Sequence, residues 1–575
     1  MHAVEASVPP VSHPFSSSGW FGRHSIPFSA PSAFLSRLLV VIAIIAQVVV
    51  AWHFRSLTWD DSAITLGFAR SFALTGKIEP TPGSGIVEGY STTLWMLLMT
   101  IAAKLVTTPV ALLAAAKLST LLINIANVVL IRRWFLSWTS EVCANLVAGS
   151  VGCGLMFYET INGMETPLLL LLILAMLLLF PRTNRMAIFC YLLAGSAFLL
   201  TRWEAAWLLV PFVLIETTFR RAIISSATWL TVFVVSNFVR WRYFGFILPN
   251  TVIAKQALPY SAPNRTLALQ RHLYEPIAII VFCKLMLLIL IITLLYDRFV
   301  LKSDSSLFQT LRQSLRDSWQ FRFSFLYVLF SLILSTAIGT NWGPEFRSFY
   351  SAWPLLFGLC LLPITVILRG RALLVATAVL CLFSLLRMSV RIHDMNSKFA
   401  PIYMPGNTVA SIESINSVIA EIQQASHQKS LLFAGPDMGG ILLYSNGVRV
   451  IDLGLLCDTV LARQGYGIVD SYVLQQRQPN LIEVHLFWTE LTDVHHSLLF
   501  HSRYRPVYSH GKRIFLSRPL IASIDPGRLT EKPFTPTGYP QDADLPPLTT
   551  PFGEARYSKP DYILNKDFGT YLALK

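Results

Sequence analysis

Two adjacent carboxylates, Asp60 and Asp61, open the stretch TWDDSAITLGFARSFALTGKIEP directly after an apolar run. A carboxylate so placed can take a proton from an attacking hydroxyl, and a positioned base contributes about 10²–10⁴-fold to a rate. The first acid after Trp59 is the preferred base, so Asp60 ranks before Asp61. A simpler role is open to either: DDSAITLGFAR begins a short helix, and an Asp ahead of the first turn caps its free N–H groups.

The elements that must position this pair are membrane spans. Of 575 residues, 54% are hydrophobic and 14% charged, and the mean hydropathy is +0.54. That composition describes a polytopic membrane protein. Eleven apolar runs near spanning length lie at 33–53, 110–131, 142–157, 166–180, 186–200, 204–218, 222–239, 275–296, 322–338, 349–368 and 371–388. The run 91–106 is shorter, is interrupted by Lys104, and reads as a half-buried or re-entrant segment. The first run lacks a small-x-small cleavage site after it and is expected to stay as an anchor.

Basic residues crowd alternate turns: Arg132 and Arg133, Arg182 and Arg185, Arg220 and Arg221, the 297–322 loop, and Arg369 and Arg371. Excess Lys/Arg marks cytoplasmic loops, which places residues 1–32 inside and 55–90, 240–274 and everything after 388 outside. Asp60, Asp61, Glu79, Glu88, Glu159, Glu165, Glu204 and Glu345 then share one external surface. A loop acid can be merely solvated. These acids sit beside aromatics, Gly and Pro in tight connections, where an ionisable group is costly without a cavity or partner. Arg202, Lys255 and Arg347 are the cations of the short motifs on the same face.

After residue 388 the composition changes. An amphipathic helix over 407–426 precedes short strand-like pieces, SLLFAG, GVRVIDLGL, NLIEVHLF and KRIFLSR, which predict a small α/β domain over 389–518. The segment 519–575 holds nine prolines and should be extended or wrapped over its neighbours. Six of seven cysteines lie in apolar runs and only Cys457 is exterior, so the exterior domain has no disulfide framework and no cysteine metal motif. The net charge of +14 belongs largely to cytoplasmic turns facing anionic headgroups and calls for no nucleic acid. GPDMGG lacks the G-x-G-x-x-G spacing of a dinucleotide fingerprint, so glycan binding or docking onto the bundle is expected there.

The ordered motifs WDDSAITLGFAR…VEGYSTTLW, NGMETPL, LTRWEAAWL, RYFGFILPNTVIAK, GPEFRSFYSAWP and DMGGILLYSNGVRVIDLGLLCD resemble the membrane glycosyltransferases of the C superfamily. Within it they are most similar to the mycobacterial-type terminal arabinofuranosyltransferases that use polyprenyl-phosphate sugars. The resemblance spans about 55–465; Trp203 stands where the group carries Pro, and Asn341 where it carries Asp. It implies a polytopic α-helical bundle of about 11–12 transmembrane helices over 33–388, in a bacterial cytoplasmic membrane, with the external loop 55–90 supplying the catalytic base. The implied partners are a polyprenyl-phosphate sugar donor, a glycan or lipid acceptor, and the bilayer.

Because phosphate leaves readily, no second acid is compulsory, in contrast to glycosidases. Positive charge serves instead, and an Arg fork fits phosphate. Asp61 then positions the sugar or the loop. Glu88, Tyr90, Glu165, Arg202, Glu204, Asn250, Lys255 and Arg347 are the candidate substrate-binding residues. Trp95, Tyr243 and Phe244 could stack on sugar or anchor at the interface. Lys117, inside an apolar run, is expected to snorkel to the headgroups and stands apart from the site. No cofactor is required, and a divalent metal is left open. The rival classes are a lipid-linked sugar flippase or carrier, which needs a charged cavity in the bundle, and an inactive glycan-binding scaffold.

Overall fold

The computed structural model describes residues 30–216, 218–254, 265–300, 307–338, 347–396, 409–484, 487–509, 512–533, 548–550, 553–555 and 568–574. Lys255, Asn341 and Glu345 lie outside the described residues.

Each of the eleven apolar runs coincides with helix, but the helices fall into two length classes. Six are long and apolar enough to cross a membrane: Ala30–His53, Pro109–Leu136, Phe219–Phe244, Trp319–Ile338, Arg347–Ile367 and Gly370–Asp394. A seventh crossing is made if His272–Phe282 and Lys284–Phe299, bent by 56°, count as one broken span. The others, Glu141–Leu155, Thr166–Leu179, Arg185–Thr201 and Ala205–Leu214, are shorter apolar helices. At 1.5 Å per residue the 14 residues of Thr166–Leu179 cover only about 21 Å of a ~30 Å hydrocarbon layer. Thr93–Leu105, at 13 residues, is shorter still, and its Trp95 and Met96 are buried against the loop helix Asp60–Thr75.

Local sequence sets these boundaries. Thr108 accepts from the Ala111 N–H with Pro109 as the first helical residue, Ser140 accepts from Cys143 N–H, and Asn184 from Ala187 N–H. Each supplies an acceptor to an N-terminal N–H that has no partner within its helix. The loop helix Asp60–Thr75 stops at Gly76, whose φ of 69° suits a residue without a Cβ.

The C-terminal domain carries a seven-stranded mixed sheet in the order Val448–Asp452, Leu431–Gly435, Leu481–Ile482, Lys512–Ser517, Tyr504–Ser509, Thr570–Leu574, Leu529–Pro533. Leu431–Gly435 pairs in parallel with Val448–Asp452, Phe433 opposite Val450. Tyr504–Ser509 and Lys512–Ser517 form an antiparallel hairpin with Val507 opposite Ile514. Two strands from the proline-rich segment complete the sheet, Leu572 pairing with both Val507 and Glu531. The helix Val409–Ser426 contributes Val418, Ile419 and Ile422 to an apolar core. That core also contains Phe68, Tyr90 and Trp95, so bundle loop and C-terminal domain are packed into one unit.

Candidate active site

The chain leaves its first span at His53 and turns into the loop helix within a few residues, under the hold of Lys117. The Lys117 ammonium donates to the carbonyls of Phe54 (2.9 Å), Arg55 (3.2 Å) and Leu57. Three carbonyl acceptors satisfy a buried cation, and they fix the peptide that delivers Asp60 and Asp61. The expectation that Lys117 merely snorkels to the headgroups gives way to this anchoring role.

The two aspartates face different partners. Asp60 is half-buried, and its Oδ1 accepts the N–H of Gly439, the first residue of the C-terminal-domain helix Gly439–Tyr444, at 2.8 Å. Burial, with the carboxylates of Asp437 and Asp61 adding to it, holds the Asp60 carboxyl well above the usual range, against the lowering effect of the Gly439 bond. Trp59, not either acid, occupies the cap position of the loop helix, with no side-chain cap bond.

Asp61 Oδ2 lies 3.4 Å from Arg347 Nη1 and opens a chain of charges. Arg347 Nη2 donates to Glu165 Oε1 at 2.7 Å, and its Nε lies 3.4 Å from Thr166 Oγ1. Arg202 Nη1 reaches the same Glu165 oxygen at 3.3 Å, while its Nε and Nη2 hold Glu204 Oε1 at 2.6 and 2.5 Å. Glu165 is fully buried, and its Oε2 has no hydrogen-bond partner among the described residues. Two guanidinium groups converging on one carboxylate compensate the cost of burying it. Glu159, buried and bonded by Asn162 at 3.0 Å, also senses Arg347, but burial dominates and raises its carboxyl. Arg202, Glu204, Arg347, Thr166 and Tyr350 line a small cavity.

Glu88 and Tyr90 form a second group. Arg240 Nε forks onto both Glu88 oxygens at 2.9 and 2.8 Å, and its Nη1 donates to Asn237 Oδ1 at 3.0 Å. Trp203 Nε1 donates to that same Asn237 oxygen at 3.2 Å. The tryptophan that stands where the resemblance expects proline thus links the Arg202 turn to the Glu88–Arg240 pair, a bond for which proline has no donor. Tyr90 is buried edge-on to Phe68, centroids 5.1 Å apart; burial, then Glu88, raises its phenol well above the ordinary value.

Several sequence candidates serve structure. Trp95 donates to Gly163 O at 3.1 Å, and Tyr243 Oη accepts from Ile78 N–H at 3.0 Å. Asn250 donates to Thr459 Oγ1 of the C-terminal domain at 3.2 Å. Asp452 accepts the N–H groups of Gly454, Leu456 and Cys457 at 2.7, 3.0 and 2.6 Å, and burial pushes its carboxyl up to about 6. Asp458 caps the helix Thr459–Gln464.

The structure therefore brings Asp61, Glu165, Arg202, Glu204 and Arg347 into one network with Asp60 alongside, and it adds Lys117, Glu159, Arg240 and Gly439 to the inventory. No family model and no curated protein matches the sequence. Among solved structures, ArnT from Cupriavidus metallidurans in the apo state is similar with a TM-score of 0.53 and 13% identity, over 85% of this chain and 98% of that one. ArnT from the same organism bound to undecaprenyl phosphate gives a TM-score of 0.51 and 12% identity, over 84% and 97%. The chain thus has the fold of ArnT, with a small C-terminal sheet domain.

Proposed function

We propose that the chain is an inverting membrane glycosyltransferase that moves a sugar, arabinofuranose or another pentose or hexose, from a polyprenyl phosphate to a cell-envelope glycan or lipid. The observation that carries this reading is the cavity edged by Arg202, Glu204 and Arg347, with Asp61 on Arg347 and Asp60 beside it. The fold of a protein solved with undecaprenyl phosphate supports it.

In this reading Asp60 takes the proton of the acceptor hydroxyl while that oxygen bonds to the anomeric carbon. The bond to phosphate breaks, and its electron pair leaves on the phosphate. Asp60 is the preferred base of the two, because Asp61 is engaged by Arg347 while Asp60 is held basic by its surroundings. Arg347 meets the developing phosphate charge through Nη1, whose 3.4 Å contact with Asp61 is longer than the 2.7 Å bond from Nη2 to Glu165. Arg202, gripped by two carboxylates, holds Glu165 in place.

Purified protein assayed against a panel of polyprenyl-phosphate sugars and glycan acceptors tests the reading; no transfer from any donor would sink it. Within an active pair, Arg347→Lys keeps the charge but loses the fork, so apparent donor affinity should fall roughly tenfold or more. Lys255→Arg should be tolerated better, and wild-type affinity in both variants would move the phosphate elsewhere. Orientation follows the basic turns. In intact cells an impermeant thiol reagent should label Lys429→Cys in the exterior domain and spare Arg182→Cys; the reverse pattern would overturn the orientation.

A further inference from the structure

Asp60 belongs to the membrane half of the molecule, yet the group that fixes it comes from the exterior domain. The helix Gly439–Tyr444 is gripped at both ends by the loop helix Asp60–Thr75. At its start, Gly439 N–H donates to Asp60 Oδ1 at 2.8 Å. At its end, Arg70 Nη1 donates to the carbonyls of Leu443 (3.1 Å) and Ser445 (3.0 Å), and Nη2 to Asn446 Oδ1 (2.5 Å). Between these grips the helices touch backbone to backbone. A Cβ on Gly67 would stand 2.6 Å from Leu442 Cβ, and one on Gly439 would press closer still to the Asp60 carbonyl oxygen. Gly89 lies comparably close to Cys457, so a Cβ there would be 2.6 Å from its Sγ.

We propose that the helix Gly439–Tyr444 positions Asp60 for proton abstraction, with Arg70 as the second anchor, so that transfer requires the exterior domain to be docked. This deepens the reading of Asp60 as the base and rests on it. A carboxylate held through Oδ1 presents Oδ2 at a fixed angle; released, it must find that angle anew in each turnover. A misplacement of about 1 Å can cost on the order of 10²-fold in rate. Gly439 and Arg70 are thus positioning residues, acting through Asp60.

The same docking sets the charge around Asp60. Facing it are Asp61 on its own helix, Asp437 in the turn before Gly439, and Asp452 and Cys457 behind. Arg347 Nη1 reaches Asp61 Oδ2 at 3.4 Å. Asp437 is solvent-exposed and backbone-strained, at a φ of 47°, where Asn is also tolerated. Its charge comes to Asp60 only with the domain in place.

The test uses the full-length protein in nanodiscs with an active donor and acceptor pair. Arg70→Ala should lower kcat on the order of tenfold to 10²-fold while binding of a polyprenyl phosphate, measured directly, stays at the wild-type level. Asp437→Asn removes a negative neighbour, so Asp60 ionises at lower pH and the acid limb of kcat/KM should move to lower pH. A merely structural contact would leave that limb unmoved. Wild-type kcat in Arg70→Ala together with an unmoved limb in Asp437→Asn overturns the positioning role alone. A wild-type protein that transfers no sugar overturns it along with the functional reading.

Discussion

Asp60→Asn should abolish transfer and stabilise the protein at the same time. The amide keeps an oxygen for the Gly439 N–H, so the 2.8 Å bond and the domain contact survive. What is lost is the proton acceptor, and turnover should fall by about 10²–10⁴-fold with donor binding retained. The stability change follows from the direction in which the Asp60 carboxyl is displaced. Its folded-state value lies above its unfolded one, so the folded chain holds the proton more tightly. Any resulting stabilisation is present at low pH and is lost as pH rises through the folded value, because ionisation places a half-buried charge near the carboxylates of Asp437, Asp61 and Asp452. A neutral amide in the same place removes that cost. A higher midpoint of thermal unfolding at pH 7, converging with wild type under acid, is the expected record. Wild-type turnover in Asp60→Asn would transfer the base role to Asp61.

The second large effect is expected at Glu165. It is fully buried, and it is the shared counter-ion of Arg202 and Arg347 at 3.3 and 2.7 Å. Glu165→Ala leaves both guanidinium groups facing a void, and breaking a buried pair from one side costs about 3–5 kcal/mol. Glu165→Gln retains an acceptor without the charge and should lose less. Thermal unfolding in nanodiscs should therefore rank wild type above Gln above Ala. If Ala unfolds with wild-type behaviour, Glu165 is not the keystone of this network.

These two positions also mark what can be read from the sequence. Asp60, Asp61, Glu165, Arg202 and Arg347 stand in short motifs at the ends of apolar runs, where hydropathy fixes depth and alternation fixes side. Their common location follows from topology alone. Their partners do not: Glu88 and Arg240 are separated by 152 positions, and Asp60 and Gly439 by 379. Nothing local in EGY or GPDMGG encodes such a pairing. The loop helix is legible in DDSAITLGFAR, but an acid at its start reads as a cap for that same helix, whereas the Asp60 oxygen is taken by an N–H of the C-terminal domain. Lys117 departs from expectation for a related reason. A lysine in an apolar run reads as reaching for headgroups, whereas three carbonyls of the turn at 54–57 lie within its reach. Helix lengths are blurred because a polar end and a short span look alike in a hydropathy window, so Thr166–Leu179 and Arg185–Thr201 read as ordinary spans.

The strand Thr570–Leu574 sits inside the sheet, between Tyr504–Ser509 and Leu529–Pro533. Its place in the sheet imposes an order on biogenesis. At roughly 5–20 residues per second of synthesis, Asp60 emerges on the order of a minute before this strand exists. Throughout that interval the spans can insert, but the sheet lacks an interior member and presents two unpaired edges. The sheet is therefore completed only after residues more than 500 positions downstream of Asp60 have been made.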